Sequence, residues 1–125
     1  MGGRSGSLDQ RMSDEDDIQT GKFRPPHVAL SVRCAAAVIE KCSAILGIPV
    51  LKVGHASAAC ESMVTTRPLV VIAGLGLSRD DLAALRARSL DTGAQLVVLQ
   101  EIKDEAQLPV HLQSAKRAAL ISRGE

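Results

Sequence analysis

The chain has 125 residues, of which 46% are apolar, and this size and composition suit one globular domain with a substantial aliphatic core. Fifteen basic residues against fourteen acidic ones leave a net charge of +1, and one Phe with no Trp or Tyr leaves few rings for stacking on bases. The balanced charge and the shortage of rings argue against nucleic acid as a partner. No apolar run approaches the roughly 18 residues of a membrane span, and we expect a cytoplasmic protein without a membrane partner.

The first segment, residues 1–24, is rich in Gly, Ser and charged residues and has few apolar ones. Such a composition buries too little surface to offset the entropy of ordering, so we predict a flexible tail followed by one domain over residues 25–125. The acidic cluster at 13–17 in this tail either docks a basic partner or only keeps the chain in solution.

Short apolar runs alternate with amphipathic stretches after the tail. Strands are predicted at 27–32, 49–53, 69–73, 95–99 and 118–122, and helices at 34–46, 56–67 and 78–92. Strands that alternate with helices favour right-handed crossovers and a parallel sheet covered on both faces. We therefore predict a three-layer α/β domain with a five-stranded parallel sheet.

The third helix has the clearest boundary signals. Ser78 and Asp81 have the spacing of a capping box, and Gly93 supplies a stop. The inward-facing side chains are expected to include Leu82, Leu85, Ala83 and Leu90.

The three cysteines, Cys34, Cys42 and Cys60, lack the paired C-x-x-C spacing of a zinc site, and no apolar signal segment precedes them. Cys34 and Cys42 have the spacing of one helical face, so we expect reduced, buried thiols, and no metal or cofactor. A metal site built from Cys60 and His55 is a weaker alternative.

The histidines are scattered, and no Ser/His/Asp or Cys/His spacing indicates a nucleophile. We therefore expect no enzyme. His55 is the strongest functional candidate of the three, because it lies at the end of a predicted strand.

The segment VVIAGLGLSRDD, residues 70–81, raises the question of a phosphate-binding loop. A dinucleotide fingerprint needs a third glycine where Arg79 stands, and no P-loop motif occurs. A small-molecule or nucleotide-binding domain in which Gly74, Gly76 and Ser78 line the site stays open as an alternative function.

The same region resembles the receiver domain of bacterial two-component response regulators. RPLVVIAGLGLS at 67–78 aligns without gaps with the R-P-D-L-V-V-L-D-L-G-L-P that is common in that family. GIPVLKV at 47–53 is similar to the family's second strand, and RAALISRGE at 117–125 is similar to its fifth. The resemblance covers about residues 27–124 and implies a flavodoxin-like fold.

The residues that carry phosphorylation in receivers are missing from the matching positions. Gly74 stands where the resemblance places the phosphoacceptor aspartate. Ser31 and Arg33 lie in the segment that should hold the magnesium-binding acids, Gln100 replaces the switch Thr or Ser, and Arg123 replaces the lysine. The resemblance therefore implies an atypical pseudo-receiver, a phosphorylation-independent protein–protein interaction module in signal transduction.

The end of the sequence adds an expectation about partners. Receivers continue into a fifth helix after the fifth strand, and the sequence stops at Glu125 without room for it. We expect an uncovered strip of the sheet near the first and fifth strands, to be filled by a protein partner or by self-association. A chain that is a fragment of a longer protein would also explain the missing helix.

Overall fold

The computed structural model describes residues 27–124, so the predicted tail at 1–24 lies outside the described residues. The strands are β1 (Ala29–Val32), β2 (Val50–Val53), β3 (Val70–Ala73) and β4 (Gln95–Val98). The helices are α1 (Ala36–Leu46), α2 (Ala56–Thr66), α3 (Arg79–Thr92) and α4 (Leu108–Ser122). Two short 3₁₀ turns, Leu99–Glu101 and Glu105–Gln107, connect β4 to α4.

Within the described residues, the strands form one parallel sheet of four, in the order β2-β1-β3-β4. Leu30 in β1 pairs with Leu51 in β2 and Val71 in β3, and Val71 pairs with Leu96 in β4. This α/β architecture is compatible with a flavodoxin-like fold. The chain leaves β1 toward one edge of the sheet and β3 toward the other, so the ends of these two strands form a topological switch point.

Side chains that alternate along the strands divide the core into two layers. Val70 and Ile72 pack in the layer that contains α1 and α4, whereas Val71 and Ala73 pack in the layer that contains α2 and α3. Because β3 is apolar on both sides and fully buried, it forms the centre of the three-layer structure.

The predicted start of the third helix is confirmed. The Ser78 hydroxyl accepts the Asp81 N–H at 3.0 Å, the Asp81 carboxylate accepts the Ser78 N–H at 3.4 Å, and Gly93 ends the helix in the left-handed region. Leu85 is buried as expected, but Leu90 is 84% exposed, so its predicted inward orientation is wrong.

The predicted fifth strand is also wrong, because residues 118–122 belong to α4. Leu108, Leu112 and Ala119 are the buried residues of this helix, and their helical spacing places them on one face against the core. α4 packs beside α1 and against β3 and β4. The strip expected near the first and fifth strands therefore does not form as predicted, since residues 118–122 belong to a helix that covers β3 and β4.

Two further expectations concern the cysteines and the lack of a membrane-spanning helix. Cys34 and Cys42 are buried and Cys60 is partly buried, and all three are free thiols. Among the described helices, none combines the length and the apolar character needed to cross a membrane.

Candidate functional site

A cavity of about 740 Å³ lies at the carboxyl ends of β1, β3 and β4, beside the start of α1. This position is the switch point of the sheet, where open α/β folds bind their ligands. The cavity extends along α1 to the irregular segment that joins β4 to α4. Its lining residues are Arg33, Cys34, Ala35, Val38, Lys41, Gly74, Leu75, Leu99, Gln100, Ile102, Lys103, Glu105 and Leu108.

The floor of the cavity contains a close backbone contact at Gly74. The Gly74 N–H donates to the Val32 carbonyl at 2.8 Å. A Cβ atom added at Gly74 would lie 2.1 Å from the Arg33 carbonyl oxygen and 2.7 Å from its carbonyl carbon. Real Cβ atoms do not approach backbone atoms this closely, so the chain needs glycine here for steric reasons.

The bend that creates this contact lies just after β1. Arg33 has a φ of 57°, which is uncommon for a residue with a side chain. Its N–H donates to the Val53 carbonyl at 3.2 Å, so the bend is held against the end of β2. The exposed Arg33 side chain extends toward the loop after β3, where its guanidinium would lie 3.8 Å from a Cβ added at Gly76.

Charged side chains at the cavity are mainly basic. Lys41 and Glu105 form an ion pair with a nitrogen–oxygen distance of 2.8 Å. The hydrogen bond from Lys41, together with the Lys41 charge, lowers the pKa of the Glu105 carboxyl below its usual value. Since this pair is neutral overall, Arg33 and Lys103 leave a surplus of positive charge among the lining residues.

The Cys34 thiol belongs to the inner wall of the cavity. Its sulfur lies 3.7 Å from the carbonyl oxygens of Val32 and Ile72. Burial, reinforced by the neighbouring Cys42, raises the pKa of the Cys34 thiol to about 11. A thiol with this pKa stays protonated near neutral pH, so it is uncharged and a poor nucleophile.

Three of the five residues that the resemblance matches to the phosphorylation site of receivers meet at the cavity. Arg33, Gly74 and Gln100 all contribute to its lining. They come from the ends of β1, β3 and β4, and parallel strands bring these ends to the same edge of the sheet. Parallel pairing of the strands is therefore enough to bring these three residues to one cavity.

The other two residues lie elsewhere. The Ser31 side chain is buried within the sheet, where its hydroxyl donates to the Leu51 carbonyl at 3.1 Å. Arg123 lies at the opposite end of the sheet, where its guanidinium donates to the carbonyls of Arg67 at 2.9 Å and Pro68 at 2.7 Å. Arg123 follows a helix rather than a fifth strand, so it cannot occupy the position of the receiver lysine in this structure.

Of the predicted loop and ligand residues, His55 and Ser78 cap helices, and Gly76 is not among the residues that line the cavity. His55 precedes α2, and its Nδ1 accepts the Ala58 N–H at 3.3 Å. Ser78 and Asp81 together cap α3, so a carboxylate already occupies the amino end of that helix. Of the segment Gly74 to Ser78, only Gly74 and Leu75 line the cavity.

Sequence reasoning missed the part of the wall that comes from Lys41, Lys103, Glu105 and Leu108. The last three precede or begin α4, a helix whose residues 118–122 were predicted as a strand. The helical spacing of Leu108, Leu112 and Ala119 was the available signal for that helix. A helix predicted from this spacing would pack beside α1, and its start would place residues 103–108 near α1.

The comparisons with known proteins give no family. No protein-family model matches the chain. No curated protein matches it at a significant level. The receiver resemblance therefore stays a prediction from the sequence. Within residues 27–124, no group of three or more His, Cys, Asp and Glu side chains is arranged to hold a metal ion.

Proposed function

We propose that this domain is a phosphorylation-independent pseudo-receiver that acts as a protein interaction module in signal transduction. The observation that carries the proposal is the contact at Gly74, where the Arg33 carbonyl oxygen occupies the space that a phosphoacceptor side chain would need. The position is therefore closed by the backbone, in addition to lacking a carboxylate. With this bend after β1, no side chain that could accept a phosphoryl group fits at position 74.

The surrounding charges support the same proposal. Transfer of a phosphoryl group to an aspartate uses a magnesium ion held by carboxylates. Among the residues that line the cavity, the carboxylate is Glu105, and it pairs with Lys41 at 2.8 Å. The basic residues Arg33 and Lys103 would oppose a divalent cation at this position.

The proposal needs a surface for interaction, and the outer face of α4 carries two exposed large apolar side chains. Val110 and Ile121 are 59% and 68% exposed, respectively. Their separation is about three helical turns, so they lie on the same side of α4, with Ser114 and Arg117 between them. Two such helices in antiparallel contact would place each Val110 against the partner copy's Ile121, which is the self-complementary pattern of a two-fold interface. We therefore propose self-association through α4.

Treatment with acetyl phosphate and magnesium tests the phosphorylation-independent part. Intact-mass measurement should show no added phosphoryl group, because no acceptor side chain fits at the end of β3. Incubation with magnesium alone is the control. A mass increase that hydroxylamine removes would indicate an acyl phosphate and overturn this part of the proposal.

Sedimentation velocity tests the interaction part. The wild-type chain should show a reversible increase in sedimentation coefficient with concentration, and Val110→Glu should abolish it by burying a charge in the interface. Leu90→Glu is the matched control, since Leu90 is an exposed apolar residue on α3. A wild-type chain that stays monomeric at every concentration, or equal effects of the two variants, would contradict self-association through α4.

A further inference from the structure

The cavity at the switch point has a chemical character that the interaction role does not use. Most of its wall is apolar, and the residues that form this wall include Cys34, Ala35, Val38, Leu75, Leu99, Ile102 and Leu108. Its volume of about 740 Å³ lies within the range of small-molecule sites in proteins. An apolar wall of this extent suits the hydrocarbon part of a ligand.

The charged groups of the cavity select the sign of the ligand's charge. Glu105 is neutralised by Lys41 at 2.8 Å, which leaves the exposed Arg33 guanidinium and the Lys103 ammonium unopposed by another carboxylate of the lining. These two residues come from different strand ends, β1 and the segment after β4, and both contribute to the cavity. A guanidinium and an ammonium at one site favour a carboxylate or phosphate group.

The Cys34 side chain gives the inner wall a neutral character. Its sulfur lies 3.7 Å from two backbone carbonyl oxygens and is buried. A neutral thiol carries no negative charge, so Cys34 does not offset the positive charges of Arg33 and Lys103.

We propose that the cavity binds a small amphipathic anion, with a carboxylate or phosphate head group between Arg33 and Lys103 and an apolar body against Val38, Leu99 and Leu108. The inference goes beyond the proposed interaction role and does not rest on it. The bound ligand would lie against Gly74 and the bend at Arg33, where the ends of β1 and β3 are in contact.

Titrations of the full chain followed by amide chemical shifts test this inference. Octanoate and octyl phosphate distinguish the two head groups, octylammonium reverses the charge on the same hydrocarbon chain, and inorganic phosphate lacks the apolar body. We expect saturable shifts at Cys34, Gly74 and Lys103 with at least one of the two octyl anions. Octylammonium and inorganic phosphate should bind at least tenfold more weakly than that anion.

Two charge-reversal variants make the test specific to the cavity. Lys103→Glu should weaken binding of the preferred octyl anion by about tenfold or more, since it replaces attraction by repulsion at the head group. Lys52→Glu changes the net charge equally but lies in β2, outside the lining residues, and should leave the affinity within about twofold of wild type. Val38→Phe should reduce the volume of the cavity and weaken binding of the preferred octyl anion. Circular dichroism checks that this variant keeps the fold.

Three outcomes would overturn the inference. The first is no saturable binding of either octyl anion. The second is octylammonium binding as tightly as the anions, which would indicate hydrophobic binding without selection for charge. The third is an equal effect of Lys103→Glu and Lys52→Glu, which would indicate a general electrostatic effect. None of these outcomes bears on phosphorylation or on self-association, so failure here is distinguishable from failure of the proposed function.

Discussion

Gly74→Ala is the substitution that tests the geometry of the site most sharply. The new methyl carbon would lie 2.1 Å from the Arg33 carbonyl oxygen and 2.9 Å from the Val32 carbonyl oxygen. Because these are backbone atoms, the ends of β1 and β3 must separate. Overpacking of this kind costs about 1–3 kcal/mol, and weakening the bond from Gly74 N–H to Val32 adds about 0.5–1.5 kcal/mol. We expect the free energy of unfolding to fall by about 1.5–4.5 kcal/mol.

Urea denaturation followed by far-ultraviolet circular dichroism measures this change by linear extrapolation. Gly54→Ala is the matched control, since a Cβ atom there meets nothing within 4 Å and the residue is outside the left-handed region. This control should stay within about 1 kcal/mol of wild type. Equal stability of Gly74→Ala and Gly54→Ala would contradict the steric role of Gly74, because the contact with Arg33 would then be relieved at no cost.

The remaining predictions concern stability and thiol reactivity. Arg123→Ala should lower the free energy of unfolding by about 1.5–3 kcal/mol in urea, because the guanidinium donates to the carbonyls before β3, whereas the exposed Arg79→Ala should change it by less than about 0.5 kcal/mol. Ser78→Ala should cost about 1 kcal/mol in the same assay through loss of the α3 cap, and an unchanged midpoint would contradict the capping role. Iodoacetamide should modify Cys60 before Cys34, as judged by peptide mass mapping, since burial raises the pKa of the Cys34 thiol to about 11. The folded state then keeps a proton that the unfolded state releases, so the stability from this group is complete below pH 9 and is lost as the pH rises toward 11.

Much of the fold was predictable from the sequence because the strands are short apolar runs between strong helix boundaries. β3 is the clearest case, since VVIA is buried on both faces and is followed by the capping box at Ser78. Helix α4 was missed for a physical reason. Its apolar residues at 118–121 are contiguous, and a contiguous run does not distinguish a strand from a buried helix segment.

The candidate site was only partly predictable. Arg33, Gly74 and Gln100 follow strands, so parallel pairing was enough to bring them together. The steric role of Gly74 depends on the left-handed conformation of Arg33, which the sequence does not reveal. Lys103 and Glu105 depend on the path of the chain between β4 and α4, which is fixed by tertiary packing of Leu108 and Leu112.

The central claim is that the end of β3 does not receive a phosphoryl group. Amide spectra of the full chain, recorded with and without beryllofluoride and magnesium, test it most directly. We predict unchanged positions for the amides of Gly74 and Gln100, because the Arg33 backbone closes the acceptor position. Saturable shifts clustered at these two residues would contradict it.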